Sequence, residues 1–229
     1  KPVLAFIDRF LLELPEQVTV LAAGREVLEV FSLARLMADR DLAGFGPQDL
    51  ALTREELIDL TQKQGRAPLS DFEIDRLLEE SRGWVTGIVM SGTLADRGLG
   101  SLVNAGRPMM FEYLASVVLN QQPDELRRFA LDAAVLPIMT EEACNVVLGR
   151  EDSKRLLSQL VRRALFVTAS EGTLRTYEFH PLFREFLLAS LQGADPKRIV
   201  DLRRRAANYH LAKGSLEQAV DLLIEAGSV

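Results

Sequence analysis

The stretch that decides the fold is residues 165–183, LFVTASEGTLRTYEFHPLF. Leu165 to Thr168 and Leu174 to Phe179 are two short β-like runs joined by Glu171-Gly172, a pattern that predicts a hairpin. Pro181 follows at once and predicts the first turn of a helix, because proline is tolerated where the amide N–H has no helical partner. The sequence therefore predicts a β-hairpin directly before an aromatic-rich helix.

Three amphipathic helices precede this hairpin. Pro123 to Val135, Thr140 to Leu148 and Asp152 to Ala164 carry apolar residues at helical spacing. Three helices followed by a hairpin is the winged-helix order. After the helix at Leu182 to Leu191, two more helices meet at Gly214 with small residues at their contact positions. That spacing matches one TPR-like helical hairpin, and further repeats are expected beyond it.

The first 50 residues predict a different kind of unit. Leu4 to Leu12 has helical spacing, and Leu28 to Met37 returns to it. Between them, Gln17 to Ala23 is apolar and β-branched without alternation, which predicts a short strand buried on both faces. A lone strand cannot satisfy its backbone groups. The rest of its sheet is therefore expected upstream of Lys1, and the chain is interpreted as an excised fragment.

Residues 51–120 predict a small helical bundle. Capping boxes at Thr53 to Glu56 and at Ser70 to Glu73 each start a helix. Two further apolar helices are predicted at Trp84 to Leu94 and at Met109 to Leu119.

The expected fold class is mainly α, in four parts. These are a remnant of a nucleotide-binding P-loop α/β domain at 1–50, a helical bundle at 51–120, a winged-helix domain at 121–193, and the first TPR-like helical hairpin at 194–229.

Composition narrows the functional classes. The 229 residues are 48% hydrophobic and carry 27 basic and 33 acidic side chains, a net charge of −6 that disfavours nucleic acid as a partner of the whole surface. No apolar run approaches the roughly 20 residues that a membrane span needs. One cysteine, Cys144, and two histidines leave neither an internal disulfide nor a multi-Cys or His-rich metal site. Cytoplasmic localisation is expected.

The sequence holds no recognisable catalytic constellation. The phosphate-binding pattern G-x-x-x-x-G-K-[ST] and the nucleophile pattern G-x-S-x-G are both absent. Asp8 follows an apolar run but has helical spacing rather than the position of a magnesium ligand at a strand end. Cys144 lies within a predicted helix and is expected in the core. No catalytic residue and no metal ligand is therefore predicted.

The order of these features resembles the STAND-type signal-transduction ATPases, closest to the MalT-like transcriptional regulators of the LuxR family. The resemblance covers nearly the whole chain. It is carried by LPEQVTVLAAGR at 14–25, RGWVTG at 82–87, YEFHPLF at 177–183 and the helical hairpin.

The resemblance implies a regulatory middle segment of an ATP-dependent regulator, which couples a nucleotide switch to inducer sensing. ATP or ADP would be bound by the parent protein and no cofactor by this chain. The chain would not be an enzyme, although the resemblance allows the parent protein to be a slow ATPase. The implied partners are an upstream P-loop domain, downstream TPR-like repeats and a small-molecule inducer. DNA would be contacted only through a separate output domain, and a membrane not at all.

The resemblance also implies site residues. Arg25 occupies a sensor position at a strand end, where a guanidinium would face the γ-phosphate. His180 resembles the histidine that reaches the β-phosphate of ADP, although Pro181 replaces the aspartate that follows it in many relatives. Gly83 and Val85 lie where relatives have Gly-x-Pro beside adenine, and are weak candidates for that side. Trp84 is expected to be a core anchor.

Two alternatives remain open from the residues alone. The predicted helix at Asp152 to Ala164 carries four basic residues and could be a DNA-reading helix, or these could form a solvated basic face: Lys154, Arg155, Arg162 and Arg163. The run Arg203 to Arg205 could likewise be simply the solvated basic face of an amphipathic helix. The other possibility is a helical scaffold for protein partners, which explains everything except the predicted strand.

Overall fold

The chain folds as a mainly α structure, which confirms the expected fold class. The computed structural model describes residues 2–15, 17–24, 32–46, 48–63, 68–93, 110–170, 172 and 174–227. The elements are, in chain order, α1 (Pro2–Leu12), α2 (Ser32–Asp39), α3 (Arg54–Lys63), α4 (Asp71–Ser81), α5 (Val85–Thr93), a π-helix (Leu114–Leu119), α6 (Asp124–Ala133), α7 (Glu141–Leu148), α8 (Ser153–Arg162), β1 (Val167–Ser170), β2 (Thr176–Phe179), α9 (Pro181–Ala194), α10 (Pro196–Ala212) and α11 (Leu216–Gly227).

The strand predicted at Gln17 to Ala23 is not present. These residues follow an irregular path, and Leu21 is 89% exposed. A strand requires a neighbour for its N–H and C=O groups, and no described residue pairs with this segment. Asp8 lies in α1, as its spacing predicts, and its Oδ1 accepts a hydrogen bond of 2.7 Å from the N–H of Ser32 at the start of α2.

Helices α3 to α5 form the predicted bundle around its own small core. Both capping boxes are confirmed: Thr53 and Glu56, and likewise Ser70 and Glu73, exchange side-chain to backbone hydrogen bonds. Arg54 on α3 forms ion pairs with two carboxylates on α4. The core side chains are Leu57, Ile74, Leu77 and Ile88.

The predicted helix at Met109 to Leu119 differs in geometry and in packing. Residues 114–119 are π-helical, and the Ser116 hydroxyl donates to the carbonyl of Glu112 at 2.8 Å, which competes with the regular backbone pattern. The side-chain amide of Gln122 donates to the carbonyl of Val118 at 3.0 Å. Met110 and Leu114 belong to a second, larger core rather than to the core of the bundle.

This larger core lies among α6 to α9, with the hairpin at its edge. β1 and β2 pair antiparallel, with Val167 opposite Phe179 and Ser170 opposite Thr176. Tyr177 lies in β2. Met139, before α7, pairs with it through two backbone hydrogen bonds of 2.8 and 2.9 Å. Three helices and a hairpin in this arrangement are the winged-helix topology that the sequence predicts.

The last two helices pack onto the same core. Gly214, at φ +77°, makes the predicted turn between α10 and α11. Ala207, Ala219 and Leu222 are buried within the larger core. Arg198 on α10 forms a two-pronged ion pair with the buried carboxylate of Asp132 on α6, with Nε to Oδ1 at 2.7 Å. The helical hairpin is thus continuous with the winged-helix domain.

No helix in the part of the chain that the structure describes is long and apolar enough to cross a membrane.

Candidate functional site

The site lies where the helical bundle meets the winged-helix domain. His180 is the N-cap of α9, and its Nε2 lies 2.7 Å from the carbonyl oxygen of Ser81 at the end of α4. The backbone of His180 is held as well, because its N–H donates to the carbonyl of Phe166 at 2.7 Å and its carbonyl accepts from Arg184 at 2.9 Å. We call this contact between the two domains the seam. It joins residues that are 99 positions apart in the chain.

The hydrogen bond fixes the state of the His180 ring. A carbonyl oxygen only accepts, so Nε2 carries the hydrogen and donates to Ser81. Nδ1 is then the acceptor of the neutral ring, and it is buried with no hydrogen-bond partner among the described residues. Burial lowers the pKa of His180 below its ordinary value of 6.5; the Ser81 carbonyl opposes this shift and the charge of Arg82 adds to it.

Aromatic rings surround this histidine. Trp84, just before α5, packs edge-on against Phe166 at 4.9 Å and against His180 at 6.0 Å between ring centroids. Its indole is half-buried and packs against the larger core. The Trp84 ring also excludes a side chain at Gly87, where an added Cβ would lie 2.6 Å from Cε3. Trp84 is thus a packing anchor, as expected from its size, and it anchors the bundle to the winged-helix domain.

Unusual backbone conformations cluster at the seam. Arg82, Gly83 and Phe166 have φ values of +46°, +75° and +53°, all in the left-handed region. This conformation is uncommon for a bulky side chain, and it persists only where the surroundings impose it. Strain of this kind concentrates at binding sites and switch regions.

Gly83 has a clear structural role in this turn. A Cβ on Gly83 would lie 2.8 Å from the Cβ of Ala51 and 2.9 Å from the backbone of Leu52, whose N–H donates to the Gly83 carbonyl at 2.9 Å. Val85, the first residue of α5, is 40% exposed. An adenine contact by either residue stays a prediction.

The structure describes three of the four residues that the sequence predicts as site residues, namely Gly83, Val85 and His180. Gly83 is two residues from Ser81, so the structure brings it to the same seam as His180. Arg25 lies outside the described residues. Sequence reasoning missed Ser81 and Phe166, because their contributions to the seam are backbone carbonyl groups, which no motif records.

A surface ion pair completes the seam. Arg82 lies 3.6 Å from Glu178 on β2, and both side chains are more than two-fifths exposed. An exposed pair of this kind contributes little to stability, about 0–1 kcal/mol. The better shielded polar contact across the seam is therefore the hydrogen bond between His180 and Ser81, which lies beside the packed ring of Trp84.

The basic helix α8 is largely committed to contacts within the protein. Leu156, Leu157 and Leu160 are fully buried. Arg155 lies 2.7 Å from Glu125 and 2.6 Å from Asp152. In the run at 203–205, Arg203 pairs with Glu225 at 3.2 Å and Arg205 donates to the carbonyl of Val146 at 3.2 Å.

A cleft of about 710 Å³ lies between α7, α8 and the hairpin. Lys154 and Arg175 line it together with Glu141 and Glu142, so its charge is mixed. In the described part of the chain, no cluster of three or more His, Cys, Asp and Glu side chains could hold a metal ion.

Comparison with known proteins agrees with this topology. Residues 115–199 match the family model described as the MalT winged helix domain. The chain is also similar to proteins named HTH-type transcriptional regulator MalT: 25% identical over 225 residues to that of Cronobacter sakazakii, and 27% identical over 227 residues to those of Yersinia pestis and Yersinia pseudotuberculosis. These alignments cover 95–96% of this chain and 25% of each relative, so the chain spans about a quarter of the length of the curated relatives.

The matched winged-helix region begins within the π-helix and ends at the start of α10, so it contains the whole of the domain that supplies His180 to the seam. The resemblance inferred from the sequence is confirmed: residues 115–199 match the MalT winged helix domain, and nearly the whole chain is similar to part of the proteins named HTH-type transcriptional regulator MalT.

Proposed function

We propose that this chain is a regulatory middle segment of a MalT-like transcriptional regulator, which couples a nucleotide switch to inducer sensing. The observation that carries the proposal is the presence of two separate hydrophobic cores, joined at a seam where His180 donates to Ser81 and Trp84 packs against Phe166. Two units that keep separate cores can change their relative packing without unfolding either core.

Exposed apolar helix faces support docking to further domains. On α11, Leu216, Val220 and Ile224 are 51–64% exposed and lie on one face at helical spacing. On α1, Val3, Phe6 and Phe10 are similarly exposed. We propose that downstream TPR-like repeats cover the face of α11 and that an upstream P-loop domain covers the face of α1. The greater length of the relatives is consistent with both partners.

Nucleotide would act through the seam in this scheme. While Nε2 of His180 donates to Ser81, the neutral ring has no second N–H to offer a phosphate. A phosphate contact by His180 would therefore compete with the Ser81 contact. ATP or ADP would be held by the parent protein with Arg25 as a sensor, and the inducer and the DNA would be bound elsewhere in it, in the cytoplasm.

The experiment is ADP retention by the complete regulator, compared between His180→Ala and the matched control His210→Ala. His210 is the other histidine of the chain and lies on α10, where its ring packs against Tyr209. We expect faster ADP release in His180→Ala and no change in His210→Ala. Unchanged ADP retention in His180→Ala would remove His180 from the switch.

A second measurement tests the chain alone. Purified residues 1–229 should neither hydrolyse ATP nor bind ADP at micromolar concentration, because no phosphate-binding loop is present in them. Turnover of ATP, or micromolar ADP binding without an added P-loop domain, contradicts the proposal.

The alternative is direct DNA binding by the winged helix. The basic residues of α8 favour it, whereas the ion pairs of Arg155, the mixed charge of the cleft and the net charge of −6 oppose it. Affinity for duplex DNA that falls steeply with added salt would support this alternative. A protein-interaction scaffold would show neither DNA affinity nor a response to nucleotide in the complete protein.

A further inference from the structure

We propose that the seam is a proton-sensitive joint: it is closed while His180 is neutral and opens when the ring takes up a proton. The joint lies between the core of the bundle and the core shared by the winged-helix domain and the helical hairpin. The proposal does not rest on the nucleotide switch, because every group that it uses belongs to this chain.

The geometry around the His180 ring favours its neutral form. Nε2–H already donates to Ser81, and the ring packs against Trp84 and Phe166, at 6.0 and 6.2 Å between centroids. A proton on Nδ1 would create a second N–H at a buried position that has no acceptor among the described residues. A buried donor without an acceptor is disfavoured, and a buried charge more so. The closed seam therefore prefers the neutral ring.

The charges around the ring act in the same direction. Arg82, whose charge lowers the pKa of His180, follows α4 directly and faces Glu178 on β2 at 3.6 Å. The amides of the first turn of α9 present the positive end of the helix dipole to its N-cap, His180. Arg184, one turn further on, directs its guanidinium away to the carbonyl of Ala134 at 2.8 Å. Among the charges of the described residues named here, Glu178 opposes this pattern, and it pairs with Arg82.

Two further charged residues on α4, Arg76 and Glu80, pair with each other at 2.8 Å. Trp84, just before α5, and Phe166, just before β1, are the residues that these two segments place at the seam, and neither carries a charge.

The sign of the effect follows from linkage. Closure lowers the pKa of His180 below 6.5, so the open form binds more protons in acid. The contribution of His180 to closure is fully present above pH 6.5 and is lost as the pH falls through the lowered value. Closure weakens by up to about tenfold for each unit by which it lowers the pKa.

The chain supplies a specific reporter and a matched control. Trp84 is the only tryptophan, and its ring is covered by Phe166 and His180 from the opposite side of the seam. Opening of the seam exposes it to a soluble quencher such as acrylamide. The only other histidine, His210, lies on α10. His180→Gln retains an amide N–H for Ser81 and does not titrate.

The experiment measures acrylamide quenching of Trp84 across about pH 5–8 in the wild type, His180→Gln and His210→Gln, together with the NMR titration of the His180 ring. We expect the quenching constant to rise about twofold in acid in the wild type and in His210→Gln, with a midpoint at the His180 pKa. His180→Gln should give a flat profile, and far-UV circular dichroism should stay constant in all three proteins.

Three results overturn the proposal: a flat profile in the wild type, the same rise in His180→Gln, or a loss of helical signal that parallels the quenching. If His180→Gln does not fold, the wild type still decides the question. In that case a quenching midpoint that differs from the NMR midpoint of His180 contradicts the joint, and coincidence of the two supports it.

Discussion

At the scale of single residues, backbone groups rather than reactive side chains define the candidate site. His180 contacts a carbonyl of Ser81 and is itself held by a carbonyl of Phe166. Cys144, the one thiol, is buried in the core, and burial raises its pKa to about 12. It is therefore an inert core residue, as its position within a helix predicts. The chemistry of this region is recognition and packing.

Gly83 provides the sharpest test at this scale. We expect Gly83→Ala to lower the free energy of unfolding of the bundle by about 1–3 kcal/mol, because φ is +75° and a Cβ would lie 2.8 Å from that of Ala51. Chemical denaturation followed by circular dichroism measures it.

Two other glycines separate the causes of this loss. Gly214→Ala has the same backbone strain at φ +77°, but its added Cβ would meet open space. It should therefore lower the free energy of unfolding less than Gly83→Ala does. Gly193→Ala, in α9 with open space, should leave stability unchanged or raise it by up to about 1 kcal/mol. Equal losses at all three positions would show that the tight packing around Gly83 is not the cause.

At the scale of elements, local sequence signals determine where the helices begin. The Ser70 capping box starts α4: the N–H of Glu73 donates to the hydroxyl oxygen of Ser70, while the N–H of Ser70 donates to the Glu73 carboxylate at 2.8 Å. Asp195 and Thr140 similarly accept from amides of the first turns of α10 and α7. These caps satisfy amides that a helix leaves unbonded.

We expect Ser70→Ala to lower the free energy of unfolding by about 0.5–2 kcal/mol, through loss of the cap. The control is Ser158→Ala within α8, where the hydroxyl only donates back to the carbonyl of Lys154 and its loss should be neutral. Urea denaturation of both variants measures the difference. A loss in Ser158→Ala as large as that in Ser70→Ala would contradict capping as the cause.

The same box predicts a pH dependence. The Ser70 hydroxyl and backbone N–H lower the pKa of Glu73 below its ordinary value of 4.5. The folded carboxylate therefore releases its proton more readily than the unfolded one, so its contribution is present above pH 4.5 and is lost as the pH falls through the lowered value. In Ser70→Ala the acid loss of stability should be smaller. Urea midpoints compared at about pH 6 and pH 3 measure this difference.

At the scale of the whole molecule, two cores imply two cooperative units. The bundle core contains Leu57 and the larger core contains Leu157, both fully buried. The Arg198 to Asp132 ion pair and the shared core tie the helical hairpin to the winged-helix domain. A movement of the helical hairpin would therefore be transmitted to the seam by the winged-helix domain, with which it shares a core.

We expect Leu57→Ala and Leu157→Ala each to lower the free energy of unfolding by about 2–5 kcal/mol, because each leaves a cavity in a packed core. Leu57→Ala should lower amide protection in α3 and α4 only, and Leu157→Ala in α6 to α11. Hydrogen exchange followed by mass spectrometry distinguishes these regions. Equal loss of protection throughout the chain in both variants would show that the molecule unfolds as one unit.

The sequence by itself determined the helices, their caps, the hairpin and the winged-helix order, because periodicity, capping boxes and turn residues act over a few positions. It also led to His180, through the short motif around Pro181. The strand predicted at Gln17 to Ala23 was wrong, because a segment with strand propensity becomes a strand only when a neighbour pairs with it.

Only the tertiary structure decided that His180 faces Ser81, that Trp84 joins two cores and that residues 110–119 pack with the winged-helix domain. These contacts connect positions far apart in the chain or depend on backbone carbonyls that every residue type possesses. No local pattern records them, because their partners are chosen by the packing of whole helices.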